Sequence, residues 1–242
     1  MRAEAVSGRI FLAVAALLFL GSVAATIRWS LAMSGMGGLP MPGGWLLSMV
    51  WLRACSRSWA GSAVDFLVMW GVMMAAMMLP SLVPVLWRCR PATRRYRAAL
   101  GYCLVWTGFG LAVFALGTAS AVALQRLSWL AGAVPLGAGL VVAAAGALQF
   151  TAWKAHHLAC CRIPPVSGAA WCDGLRLGFH CCACSVGPTA ILLALGIMEL
   201  RGMAVVAAAV TIERLAPGGG RAARILGAVA IGAGLALVVR AA

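Results

Sequence analysis

From Ile10 to Ile27 the chain carries no charged residue. At about 1.5 Å of helical rise per residue, that run approaches the roughly 30 Å of a bilayer's hydrocarbon core. Such a run restricts the backbone to a helix, because an N–H or C=O facing lipid has no water to bond. Further apolar stretches follow at 65–87, 98–124, 130–150, 177–198, 203–215 and 222–239. The sequence therefore predicts an all-α, polytopic membrane helix bundle of about seven transmembrane helices, forming a single domain over 1–242. The stretch 203–215 is the thinnest, with Glu213 at its inner boundary. If it is re-entrant, six spans remain and the C-terminus changes side. The whole chain is 64% hydrophobic, against roughly 45–50% for a soluble domain. The first run is long enough to span and ends at Arg28 and Trp29 without a clear small-x-small cleavage site before Arg28, so it reads as an anchor rather than a removable leader.

Charge orients the spans. Arg88, Arg90, Arg94, Arg95 and Arg97 form the densest charge in the chain, and the excess of Lys and Arg on cytoplasmic loops puts this segment inside. With that loop fixed, thirteen of the nineteen Lys and Arg residues fall on the inner side. Trp29, Trp87, Trp129 and Trp153 sit at the span ends, as an interfacial aromatic belt requires. The net charge of +14 does not call for nucleic acid, because the arginines are spread over loops rather than gathered on one face. The outer connection, 28–64, is rich in Met, Trp, Gly and Pro, and the inner connection, 151–176, is rich in Cys and His.

Two patterns carry chemistry. Met69, Met73 and Met77 recur at i, i+4, i+8 with Met74 and Met78 beside them, so one helix face presents a stripe of thioethers, and Met33, Met36 and Met41 extend the theme into the outer connection. All three histidines and six of the nine cysteines fall between Gln149 and Ser185. There, His157 and Cys161 lie one helical turn apart, and so do Cys181 and Cys184. These four residues supply the ligand number of a closed thiolate and imidazole site. Cys160, Cys172, Cys182 and His180 are alternative ligands, whereas Cys55, Cys89 and Cys103 read as small apolar fillers. Thioethers bind Cu(I) and few other abundant metals, so methionines beside Cys and His favour copper, with zinc as the second choice. Of the few ionisable groups near the membrane, Lys154 reads as reaching the inner interface and Asp65 as capping the second span.

The run Met69-Trp70-x-x-Met73-Met74-x-Ala76-Met77-Met78-Leu79-Pro80-Ser81, with Gln149-x4-Lys154-x6-Cys161-Arg162-x-Pro164 and Gly178-x-x-Cys181-x-x-Cys184, resembles a bacterial family of predicted metal-binding integral membrane proteins. Some members of that domain-of-unknown-function family are labelled copper chaperones. The resemblance covers the second to sixth spans and implies a site map, with Gln149, Lys154 and Glu213 matching the family's Gln, Lys and acidic residue. Two positions depart from the pattern. The family has Cys where this chain has His157, which keeps a ligand, and Cys-Cys-Trp where it reads Cys184-Ser185-Val186, which removes one thiol.

Three functions are consistent with these residues. The first is binding and delivery or transport of Cu(I) in the cell inner membrane, with the metal ion, the lipid bilayer and a copper-dependent membrane or periplasmic protein as partners. The second is a membrane thiol–disulfide oxidoreductase using Cys181 and Cys184, which a cytoplasmic, reducing location argues against. The third is a structural subunit of a membrane metalloenzyme assembly. Glycines at 132–146 and 227–234 permit close helix contacts, within the chain or in a homo-oligomer. No activated nucleophile, phosphate-binding Gly loop or paired-carboxylate pattern marks an enzyme.

Overall fold

A computed structural model of the chain describes residues 2–36, 38–42, 44–51, 58–89, 91–163, 169–197 and 199–241. Cys55, Arg90, Pro164, Met198 and the side chain of Met36 lie outside the described residues. The apolar runs form the helices α1 (Arg2–Met36), α2 (Trp59–Trp87), α3 (Ala92–Arg126), α4 (Ser128–Leu148), α6 (Ala170–Leu195) and α8 (Gly219–Ala241). Among the described residues these six are long and apolar enough to cross a membrane. Two shorter helices, α5 (Ala152–Arg162) and α7 (Leu200–Leu215), complete an all-α bundle.

At 16 residues, or about 24 Å, α7 is shorter than a bilayer's hydrocarbon core. It is one continuous helix, and it is not among the six long and apolar enough to cross a membrane. Gly202 near its start faces Leu192 near the end of α6, and Arg214 near its end reaches Cys181, so α7 lies antiparallel to α6. Glu199 caps it, its carboxylate accepting from the backbone N–H groups of Arg201 and Gly202.

Several boundaries differ from the sequence expectation for physical reasons. Ser58, not Asp65, caps α2: its hydroxyl accepts from the Gly61 amide at 3.1 Å, and the helix starts ahead of the apolar run. The inner connection contains α5, whose cap is Thr151 accepting from the Lys154 amide at 3.2 Å. That helix is short and mixed in character, so it does not register as a span. Arg94, Arg95 and Arg97 belong to α3 rather than to a loop. Arg95 is buried: its guanidinium donates to the carbonyls of Leu86 and Trp87 at the end of α2 and lies 4.5 Å above the Phe11 ring, closing that helix end. Arg94 pairs with the buried Asp173 of α6.

The outer connection is fastened to the bundle. A hairpin of β1 (Gly38–Met41) and β2 (Trp45–Ser48) pairs Met41 with Trp45, and Gly44 turns it with a φ of 74° that side chains rarely adopt. The Trp45 indole donates to the Ala131 carbonyl at 2.9 Å, and the Trp51 ring lies 5.5 Å from that of Phe66. The glycines of α4 and α8 meet inside the single chain. A Cβ on Gly146 would come within 2.7 Å of the Gly227 carbonyl oxygen, and one on Gly139 within 3.0 Å of that of Gly234. These two helices therefore pack backbone to backbone, antiparallel. On the other side α3 and α6 run parallel, Gly174 lying on Ala98 and Gly178 on Tyr102 and Val105. Packed against α1, α3 and α7, α2 carries its aromatic and thioether face into the core.

Candidate functional site

The methionine stripe lies inside the bundle. Met73, Met74, Met77 and Met78 are buried and Met69 is partly buried, all in one contiguous apolar cluster. Trp70 anchors the face by donating its indole N–H to the Trp106 carbonyl at 3.1 Å. Met33 and Met41 are half-buried, at the end of α1 and in the hairpin. The same cluster contains Cys161, Cys181 and Cys184, so thioethers and thiols are parts of one interior.

The sequence-derived site residues separate into two groups. Cys161 of α5 and Cys184 of α6 bring their sulfurs to 3.6 Å, and Cys181 lies in the same buried cluster. All three are at most 2% exposed. Contact with the Cys181 and Cys184 thiols, followed by burial, raises the Cys161 thiol above the ordinary thiol range. His157 does not join the sulfurs directly. Its Nδ1 lies 2.8 Å from Nδ1 of His180, and one ring must donate while the other accepts. Burial and then the neighbouring His156 push His157 below its usual range, leaving the ring neutral near pH 7. His156 stands 3.7 Å from Cys160 on the outer side of α5, and Cys172 is exposed. The described cysteines are all free thiols. Among the described residues no three or more His, Cys, Asp or Glu are gathered as a metal cage.

Around the sulfurs lies a polar shell that spacing did not reveal. Cys181 receives the Arg214 guanidinium at 3.1 Å and stands 3.1 Å from the Tyr102 hydroxyl, and Arg214 also donates to Ser81 at 2.8 Å. Ser81, the last residue of the methionine run, donates in turn to the Met78 carbonyl. Lys154 does not reach the interface. It is 2% exposed, pairs with Glu213 at 2.7 Å and donates to the Cys184 carbonyl. Gln149 donates to the other Glu213 oxygen at 3.0 Å, so the matched Gln, Lys and acidic residue form one network beneath Cys184. Arg162 closes the end of α7 through the carbonyls of Glu213 and Ala216. The signal for Arg214 was its place in an apolar helix, where a charge is costly and usually purposeful.

Of the described side chains, Cys161 and Cys184 are a pair whose sulfurs could hold a soft cation. Zinc–sulfur bonds are about 2.3 Å and a tetrahedral site thus has edges of roughly 3.8 Å, so a thiol pair at 3.6 Å already has the spacing of two ligands. A family model described as PpoB2, copper chaperone, matches residues 67–237. No curated protein and no solved structure matches the chain.

Proposed function

The chain belongs to the PpoB2 copper chaperone family, and from that membership we propose that it is a multi-pass membrane protein that binds Cu(I) as cargo and hands it to a copper-dependent partner. Cys161, Cys181 and Cys184 hold the ion; His157, through its bond to His180, borders the site on the α5 side. Met69, Met73, Met74, Met77 and Met78 form the approach, over about 13 Å of helix. The observation that carries this reading is the 3.6 Å approach of two buried thiols in the same interior as the methionine stripe. Cu(I) prefers sulfur, and two or three thiolates leave it with net negative charge. Arg214, against Cys181, supplies the opposing charge inside the protein.

Zinc fits the thiols but not the thioethers. The 3.6 Å pair also fits a thiol–disulfide couple, with Cys161 rather than Cys181 as the partner of Cys184. Burial of both sulfurs counts against it, because exchange requires access for an attacking thiolate. Anaerobic Cu(I) titration against a competing chelator tests the proposal. Wild-type protein should retain one Cu(I) per chain, and Cys184→Ser should weaken it at least about tenfold, the equivalent of ~1.4 kcal/mol. Equal affinity in the two proteins contradicts the assignment.

A further inference from the structure

A cavity of about 210 Å³ opens between the ends of α2, α5 and α7. Its lining includes Arg88, Arg162 and Arg214 together with Ser81 and Cys161, and no Asp or Glu. The nearest carboxylate in sequence, Glu213, turns away to Lys154 and Gln149. Arg214 is 5% exposed, and among the described residues its Nε and Nη2 have no hydrogen-bond partner; the buried Nε of Arg162 has none either. Buried polar groups are nearly always satisfied, and a buried cation without an anion is the most costly kind of exception. The space far exceeds the roughly 10–15 Å³ that a single water needs.

We propose that this cavity is an oxyanion site, in which a phosphate or carboxylate group binds between Arg88, Arg162 and Arg214 and accepts from the unfilled guanidinium N–H groups. Guanidinium is the cation best suited to such groups, since its planar fork meets two oxygens at once. Two sources carry this chemistry at the arginine-rich end of the bundle: a free anion from solution and the phosphate of a lipid headgroup. The cavity shares Cys161 and Arg214 with the copper assignment; the anion site is tested on metal-free protein, so its outcome does not depend on that reading.

The full chain is purified, freed of metal and delipidated into a maltoside detergent, which carries no phosphate. Inorganic phosphate is then titrated calorimetrically at constant ionic strength. A parallel sample is incubated with phosphatidylglycerol in the same detergent, washed, and assayed for retained phospholipid and for thermal midpoint. Saturable phosphate binding at one per chain, weakened about tenfold in Arg88→Gln, supports a free-anion site. Phosphatidylglycerol retained at about one per chain and released by the same substitution supports the headgroup. Arg162→Gln should reproduce the loss; helical circular dichroism of both variants shows whether they are folded, and Arg88→Gln, on an exposed side chain, keeps the test independent of the α7 contacts of Arg162. Folded wild-type protein that takes up neither probe, or binding unchanged in folded Arg88→Gln and Arg162→Gln, overturns the proposal.

Discussion

A lysine amine inside a helix bundle needs a carboxylate, and Lys154 has one in Glu213, both at most 2% exposed. Removing one partner of such a pair leaves an uncompensated charge and costs about 3–5 kcal/mol, whereas replacing both by apolar residues is often neutral. Lys154→Met should therefore lower the thermal midpoint strongly, and Lys154→Met with Glu213→Leu should recover most of it; equal loss in the two would show that the pair contributes nothing as a pair. His157 makes a second residue-scale prediction. Its proton affinity is lowered in the folded protein, so the unfolded chain binds more protons between the folded value and the ordinary 6.5. The contribution is complete above about pH 6.5 and is lost as pH falls through the folded value. Acid should thus lower the midpoint of wild-type protein more than that of His157→Gln, and doubly protonated His157 and His180 cannot keep their bond. Parallel pH profiles of the two proteins would contradict this.

At the scale of the element, α2 shows what a sequence pattern can and cannot say. The i, i+4, i+8 spacing places the methionines on one face, and the structure puts that face inside, as packing and as a row of sulfurs at once. Substitution by leucine separates the two roles, because it conserves volume at a cost below about 1.5 kcal/mol while removing the thioether. Met73→Leu with Met77→Leu should leave the thermal midpoint nearly unchanged and slow Cu(I) loading of the purified protein. Unchanged loading would reduce the stripe to packing. The Cys and His spacing was equally legible, and three of the four expected residues, Cys161, Cys181 and Cys184, fall in one buried cluster while His157 does not join them. Cys161 turns towards α6, whereas His157, one turn earlier, meets His180. Helical periodicity gives the face of a residue on its own helix, and the rotation of α5 against α6 decides which side chains touch.

For the molecule as a whole, the long apolar runs made the bundle legible, since lipid leaves the backbone little choice. The short helices α5 and α7 were harder to read, one being mixed in character and the other too short for a clear span. The shell around the thiols was invisible in the sequence for a different reason. Tyr102 and Arg214 reach Cys181 across 79 and 33 residues, and no local pattern encodes such contacts. Glycine placement was legible only in part: the sequence allows contacts within or between chains, and α4 against α8 uses them within one. In the proposed function, sulfur from α5 and α6 together holds copper. The most direct measurement is the metal-to-protein ratio, by mass spectrometry, of protein purified under reducing conditions and reloaded with Cu(I), beside Cys161→Ser, Cys181→Ser and Cys184→Ser combined. One copper per chain in the wild type and none in the folded variant is the predicted result; copper retained by the variant, or no copper in either, would contradict it.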